Sequence, residues 1–229
     1  MAQLDQNKAS RDAVLSRVRT ALGRSGADAR SRAEAEAYLQ ARKQGPRPTL
    51  PADLVAHFMT RATDMASTVE RIPALDEVPA AVARYLDSLD LSPAIAEQKS
   101  HRGVCWPELG HLDWRAHGLD IEGRPIEGSD LLGITGCFCA IAETGTLVFR
   151  TDAAAPTDTM LLPATHVAVL RAESIVSGME EAFARVRAEA AAMPRAINLV
   201  SGPSRTGDIE QTIVLGAHGP FRVHILVLG

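Results

Sequence analysis

Alternating helical and strand-like patterns run through residues 52–228, and they restrict this chain to the α/β class. Apolar residues recur at helical spacing over 52–65 and 76–89, and a strand-like run at 67–72 separates the two stretches. Later strand-like runs occupy 94–97, 131–135, 140–149, 166–170, 196–200, 212–215 and 221–228, and an alanine-rich helix is predicted over 178–192. This order predicts a three-layer α/β fold, with helices covering a mixed sheet and antiparallel pairing toward the C terminus.

Residues 1–47 differ from the rest of the chain in charge and in pattern. They contain two helix-like stretches and lead into a linker at 44–51 with three prolines, so we place a boundary near residue 48. This helical arm carries ten Lys and Arg residues against five Asp and Glu, whereas the α/β domain at 48–229 carries 14 against 23. Because the arm has a single aromatic residue, Tyr38, and therefore no aromatic interleaving that could stack bases, we favour a homo-oligomer formed through the arm over binding to nucleic acid.

Composition and cysteine usage set further expectations. The sequence has no signal-peptide pattern and no run of about 18 apolar residues, so we expect a cytoplasmic protein without a membrane segment. The cysteines, at 105, 137 and 139, are too few for an iron–sulfur cluster or a disulfide framework. The histidines at 101, 111 and 117 match no standard zinc spacing with Cys105, and the Gly-x-Gly-x-x-Gly dinucleotide motif is absent. We therefore expect no metal and no cofactor in this chain.

A single carboxylate interrupts the small and apolar residues of 133–149. Glu143 in such a run is costly to bury unless it is paired or faces a cleft, where it can act as a nucleophile or a general base. The alternative interpretation is that Glu143 belongs to a turn made by Thr144 and Gly145.

A loop rich in glycine, serine and threonine follows the apolar run 196–200, and its pattern is typical of an anion site. Backbone N–H groups in such a loop suit an anion, and Arg205 adds a planar set of donors that matches a carboxylate or a phosphate. The candidate anion-binding residues are Ser201, Gly202, Ser204, Arg205, Thr206 and Asp208. A nucleotide-binding P-loop is rejected, because Asp208 stands where that motif requires lysine. An ordinary surface turn with Arg205 in solvent is the alternative.

A third candidate is His218, which lies in a glycine-rich turn between two apolar runs. Its imidazole can serve as an acid, a base or a ligand, although a loop histidine is often just exposed. Ser204, Asp208 and His218 also fit the residue types of a hydrolase triad, but the Gly-x-Ser-x-Gly elbow is missing.

Five segments in a fixed order resemble the lactate-utilisation protein C family. They are Gly133-Ile-Thr, Ile141-Ala-Glu-Thr-Gly-Thr-Leu-Val, Leu162-Pro with His166, Ser201-Gly-Pro-Ser-Arg-Thr-Gly-Asp-Ile-Glu and His218-Gly-Pro. The resemblance implies a fold similar to the ribose-phosphate isomerase, sugar-phosphate deaminase and coenzyme A transferase group. It also implies a role in bacterial oxidation of L-lactate to pyruvate, alongside two iron–sulfur partner proteins.

These expectations leave the chain's own chemistry open between three hypotheses. In the first, the redox centre lies on a partner, Arg205 and the loop N–H groups hold a small carboxylate, and Glu143 or His218 accepts the hydroxyl proton. In the second, the segment at Glu143 is similar to the Glu-Asn-Gly of coenzyme A transferases, and the glutamate is a nucleophile in acyl transfer. In the third, the chain is a non-catalytic accessory subunit that docks through residues 1–47.

Overall fold

The computed structural model describes residues 2–23, 29–90, 101–151, 155–189, 193–206, 214–216 and 218–229. The chain divides into two units, Met1–Arg47 and Pro48–Gly229. Among the described residues, none of the helices combines the length and the apolar character needed to cross a membrane. The strand predicted at 94–97 lies outside the described residues.

The first unit consists of two helices, as the sequence predicts. Helix α1 spans Ala2–Ala21 and helix α2 spans Ala29–Ala41. Large apolar side chains are exposed on both helices, at Val14 and Val18 of α1 and at Tyr38 and Leu39 of α2, and Leu22 directly after α1 is exposed as well. The two helices therefore bury little apolar surface within their own unit.

The second unit contains four helices and twelve strands among its described residues. The helices are α3 (Leu54–Asp64), α4 (Val78–Ser88), α5 (Asp158–Leu161) and α6 (Met179–Glu189). The first six strands are β1 (Thr68–Ile72), β2 (Arg102–Cys105), β3 (Asp120–Glu122), β4 (Leu132–Gly136), β5 (Cys139–Ile141) and β6 (Thr146–Arg150). The others are β7 (Thr165–Arg171), β8 (Ile175–Val176), β9 (Ile197–Val200), β10 (Arg205–Thr206), β11 (Val214–Leu215) and β12 (Arg222–Leu228).

Six of these strands form one entirely parallel sheet in the order β1-β12-β7-β4-β2-β3. The C-terminal strand β12 lies inside the sheet, with Thr68 opposite His224 on one side and Thr165 opposite Arg222 on the other. The antiparallel pairing predicted toward the C terminus therefore does not involve β12. Both neighbours of β12 are distant in sequence, and apolar periodicity does not encode which strands pair.

Antiparallel pairing occurs instead in a second sheet, with the order β8-β5-β6-β9, and in a two-stranded sheet of β10 and β11. Strands β5 and β6 form a hairpin, and β9 pairs antiparallel to β6. One core cluster joins the two sheets and α3, with Leu147 and Phe149 of the small sheet packed with Ile225 of the large one. The strands predicted to form a single mixed sheet are thus divided among two packed sheets and the small β10–β11 sheet, although the α/β class is correct.

Separate apolar clusters fix the helices on either side of this pair of sheets. Helix α4 packs Val82, Tyr85 and Leu86 against one face of the parallel sheet, in the same cluster as Leu226. Helix α6 packs Ala182 against Ile141 on the outer side of the small sheet. Helix α3 begins where the side chain of Asp53 accepts a hydrogen bond from the Ala56 N–H at 2.9 Å.

Two glycines in the left-handed conformation bring chain segments against the end of α3. Gly145 closes the β5–β6 hairpin at a φ of +66°, and a Cβ there would lie 2.5 Å from the backbone N of Ala62. Gly202 follows β9 at a φ of +83°, and a Cβ there would lie 2.0 Å from the carbonyl O of Met65. No other residue fits these positions, because a side chain would clash with backbone atoms.

We predict that Gly145→Ala destabilises the fold far more than Gly118→Ala. Gly118 has a similar φ of +72° but open space around its missing Cβ, so alanine there costs only the left-handed conformation, about 1 kcal/mol. At Gly145 the clash with α3 adds to that cost, for a total of about 3 kcal/mol. Urea denaturation of both variants measures the difference. Equal losses of unfolding free energy would show that the contact with α3 adds nothing to the cost of alanine at Gly145.

Candidate functional site

A cleft of about 770 Å³ lies where β1 and β12 begin, at the amino edge of the parallel sheet. The C-terminal end of α4 and the loop before β10 form its other walls. We call it the amino-edge cleft. Its lining is Ala66, Thr68, Val69, Glu70, Arg84, Tyr85, Ser88, Leu89, Asp90, Pro203, Arg205, Phe221, Arg222, Val223 and His224. Its size is in the range of small-molecule and cofactor sites.

His224 is the most unusual side chain of this lining, because it is polar, 4% exposed and only partly hydrogen-bonded. Its Nδ1 lies 2.8 Å from the hydroxyl of Thr68, whereas its Nε2 is buried without a hydrogen-bond partner. The ring stacks on Tyr85, with centroids 3.9 Å apart and planes at 7°. Burial lowers the pKa of His224 to about 4, so the imidazole is neutral at pH 7.

Three arginines give the amino-edge cleft its positive charge. Arg84 forms an ion pair with Glu70, and Arg205 is exposed, with its Nη2 3.5 Å from the carbonyl O of Met65. Arg222 is half-buried and donates from Nε to the hydroxyl of Thr165 at 3.1 Å. Among the described residues of the lining, Asp90 is the only other carboxylate, so three guanidinium groups stand against two carboxylates and the cleft favours an anionic ligand.

The loop predicted to bind an anion is held in place by backbone contacts. The Ser204 N–H donates to the Pro220 carbonyl at 2.9 Å, and the Gly216 N–H donates to the Ser204 carbonyl at 2.9 Å. Thr206 and Arg205 form β10, which pairs with β11. The Ser204 amide is therefore engaged within the protein, while Arg205 reaches the cleft; Asp208 lies outside the described residues.

Glu143 lies in the turn of the β5–β6 hairpin, beside the same loop. Its N–H donates to the Ser177 carbonyl at 3.1 Å, and its side chain is half-buried. The hydroxyls of Thr144, Thr146 and Ser201 form a chain with two spacings of 2.7 Å, which ties the hairpin to the loop. The structure thus brings the Glu143 turn and the 201–206 loop together at the end of α3, but Glu143 is not among the residues that line the amino-edge cleft.

His218 is exposed, and it too is absent from the described lining of the cleft. The adjoining Gly219 lies against Ser204, whose Cβ is 3.1 Å from the position of a Cβ on that glycine. The suggested triad of Ser204, Asp208 and His218 includes one member outside the described residues. The roles of Glu143 and His218 therefore stay predictions.

A second, smaller cavity of about 170 Å³ lies at the carboxyl ends of the parallel strands, where α/β proteins commonly bind ligands. We call it the carboxyl-edge cavity. Its charged members are Glu108 and Arg171, and Gly136 leaves room for the Glu108 carboxylate. Cys137 also lines it, and burial raises the pKa of that thiol. In the described part of the chain, no three His, Cys, Asp or Glu side chains are grouped as metal ligands.

Sequence reasoning found Arg205 but missed the other groups around His224. Arg222, His224, Thr68 and Tyr85 were assigned only to strands and helices. The sequence does contain a signal for Arg222 and His224. They are polar residues two positions apart in an otherwise apolar run, so they share a face of the strand. Thr68 and Tyr85 carry no such signal, because their position depends on long-range pairing.

Comparison with known proteins identifies the C-terminal part of the chain. The LUD domain family matches residues 126–228. These residues are an LUD domain. The family resemblance predicted from the sequence is thereby confirmed. The LUD domain includes Arg205, Arg222 and His224 of the amino-edge cleft, whereas β1 and α4 precede the matched range.

Several relatives carry the name Lactate utilization protein C. One from Deinococcus radiodurans is 29% identical over 191 residues, which cover 80% of this chain and 84% of the relative. One from Macrococcus caseolyticus is 35% identical, over 60% of this chain and 66% of the relative. Lactate utilization protein C 1 from Bacillus mycoides is 32% identical, over 54% of this chain and 55% of the relative. The match to the Bacillus relative thus spans about half of its length.

A solved structure has a similar fold. The crystal structure of a DUF162 family protein from Deinococcus radiodurans matches with a TM-score of 0.52 and 25% identity, covering 80% of this chain and all of that one. This similarity supports the α/β architecture, with its mostly parallel sheet and its helices, beyond the LUD domain itself.

A second buried histidine lies in the LUD domain, at the start of β7. His166 is fully buried, its Nε2 lies 2.9 Å from the Thr135 hydroxyl, and its Nδ1 has no partner. Burial lowers the pKa of His166 to about 3. Two histidines are thus kept neutral inside the fold, because the interior disfavours their charged form.

We predict that these histidines make the protein lose stability as the pH falls. The unfolded chain takes up protons near pH 6.5, whereas folded His224 does so only near pH 4, so the stabilisation is complete above pH 6.5 and is lost toward pH 4. Between pH 7 and pH 5, His224 alone accounts for about 2 kcal/mol. Urea denaturation at both pH values checks this, and His224→Gln is expected to lose correspondingly less unfolding free energy. Equal losses in the two proteins would contradict the buried, neutral state of His224.

Proposed function

We propose that this protein works in lactate utilisation and binds a small carboxylate in the amino-edge cleft. The names of its relatives support the first part. The second part rests on one observation: Arg205, on the glycine-rich loop of the LUD domain, lines a cleft that also contains Arg222 and the neutral His224. A guanidinium binds a carboxylate through two parallel hydrogen bonds, which fix its orientation as well as its position.

The charges around the cleft support an anionic ligand rather than a neutral one. Glu70 is engaged by Arg84, so Asp90 is the carboxylate of the described lining that stands against Arg205 and Arg222. Arg222 is half-buried, and an arginine remains charged in such a position. An anion that enters therefore meets two cations close to a wall of low polarity, where electrostatic attraction is stronger than in bulk water.

Oxidation of L-lactate to pyruvate removes two electrons and two protons, and we assign the electrons to iron–sulfur partner proteins. The part of this chain would then be to bind and orient the hydroxy acid or its product. We further propose a cytoplasmic location, a homo-oligomer formed through residues 1–47, and a fold related to the ribose-phosphate isomerase and coenzyme A transferase group. Glu143 and His218 remain the predicted proton acceptors.

We predict that Arg205→Ala weakens the binding of L-lactate and pyruvate by at least about tenfold, because one charge-assisted pair of hydrogen bonds is lost. Isothermal titration calorimetry on the full chain measures both affinities. Arg187→Ala is the matched control, since Arg187 is exposed in the last turn of α6 and is outside the lining of the cleft. The control should bind as the unmodified protein does. Unchanged affinity in Arg205→Ala would rule out the carboxylate clamp.

A further inference from the structure

One side chain of the amino-edge cleft has a hydrogen-bonding capacity that the described protein atoms do not use. His224 Nε2 is buried and makes no hydrogen bond, although the ring lines the cleft. The other side of the ring is fully engaged, by Thr68 at Nδ1 and by stacking on Tyr85. A buried polar atom without a partner is costly to keep, so a ligand that supplies the missing hydrogen bond gains affinity at this point.

The chemistry of Nε2 indicates which ligand group fits. The ring is neutral, so one nitrogen donates and the other accepts. The hydroxyl of Thr68 can either donate to Nδ1 or accept from it, and therefore leaves the tautomer open. A ligand hydroxyl satisfies Nε2 in both cases, because a hydroxyl is both a donor and an acceptor.

An anion-binding group lies next to this position. Arg222 is two residues before His224 on β12, on the same face of the strand, and both side chains line the cleft. Arg205, on β10, also lines the cleft. A ligand that places a hydroxyl on His224 therefore has two guanidinium groups within the same cleft for a negatively charged end.

We propose that the amino-edge cleft recognises a hydroxylated organic anion, with its hydroxyl on His224 Nε2 and its anionic group on Arg222 and Arg205. Thr68 and Tyr85 act as positioning residues that hold the imidazole. Because Nε2 is closed to bulk water, a side chain of the cleft wall shifts when the ligand enters. This inference rests on the proposed function in that it concerns the same cleft, but it adds the hydroxyl as the group that sets specificity. The anionic group is a carboxylate or a phosphate, since a guanidinium binds both.

Two pairs of probes separate these contributions. L-Lactate and propionate share a carboxylate and differ in one hydroxyl, whereas glycerol 3-phosphate and propyl phosphate share a phosphate and differ in two. Calorimetry on the unmodified full chain should give about a tenfold preference for the hydroxylated member of one pair, equivalent to about 1.4 kcal/mol.

Two variants assign the preference to residues. His224→Phe keeps a flat ring on Tyr85 but removes both nitrogens, so the preference should fall to within about twofold while the deoxy probe still binds. Arg222→Gln should weaken both members of a pair to the same degree. His117→Phe, at an exposed histidine outside the lining, is the control and should keep the preference. If His224→Phe does not fold, the ¹⁵N signal of Nε2 in the unmodified protein provides the readout, since only the hydroxylated probe should shift it.

The outcomes separate this inference from the proposed function. A hydroxyl preference with glycerol 3-phosphate, without any binding of L-lactate, would support the inference and contradict the carboxylate clamp. Binding of L-lactate and propionate with equal affinity would support the clamp and overturn the inference. A preference that survives in His224→Phe would overturn it as well, and so would the failure of all four probes to bind.

Discussion

The insertion of β12 between β1 and β7 is the constraint on which the rest of this structure depends. The last strand of the chain forms parallel ladders with two strands that precede it by about 150 and about 60 residues. That pairing joins β1 to the other strands of the parallel sheet and sets Thr68 opposite His224. It also supplies Ile225 and Leu226 to the apolar clusters on the two faces of the sheet. The register of β12 with β1 and β7 therefore determines both the apolar core and the cleft.

The position of the amino-edge cleft follows from this arrangement. In open parallel sheets the carboxyl ends of the strands are the usual ligand site, yet here the carboxyl-edge cavity is small, at about 170 Å³ against about 770 Å³. Helix α4 crosses the sheet, and Tyr85 near its C-terminal end lies at the amino edge. The loop that contacts the end of α3 through Gly202 places Arg205 at the same edge. Two crossing elements thus build a cleft where the strands begin.

The sequence predicts the local elements well and their partners poorly. The strand at 67–72 and the helix at 76–89 are found within two residues, because periodicity is a local property. Strands β2 and β3 were missed, since they are short and lie in a segment rich in polar residues and tryptophan. The same reasoning recognised Arg205 from loop chemistry alone. It could not find His224, because the significance of that residue comes from its pairing with Thr68 and from burial.

The central claim is that the ligand of this protein binds where β1 and β12 begin. Amide chemical-shift mapping of the ¹⁵N-labelled full chain during titration with L-lactate tests it most directly. We expect the largest shifts at 204–205 and at 222–224, with a smaller response at Thr68. Shifts concentrated at Gly136 and Arg171 instead, with the signals of 222–224 unchanged, would place the ligand at the opposite edge of the sheet and contradict it.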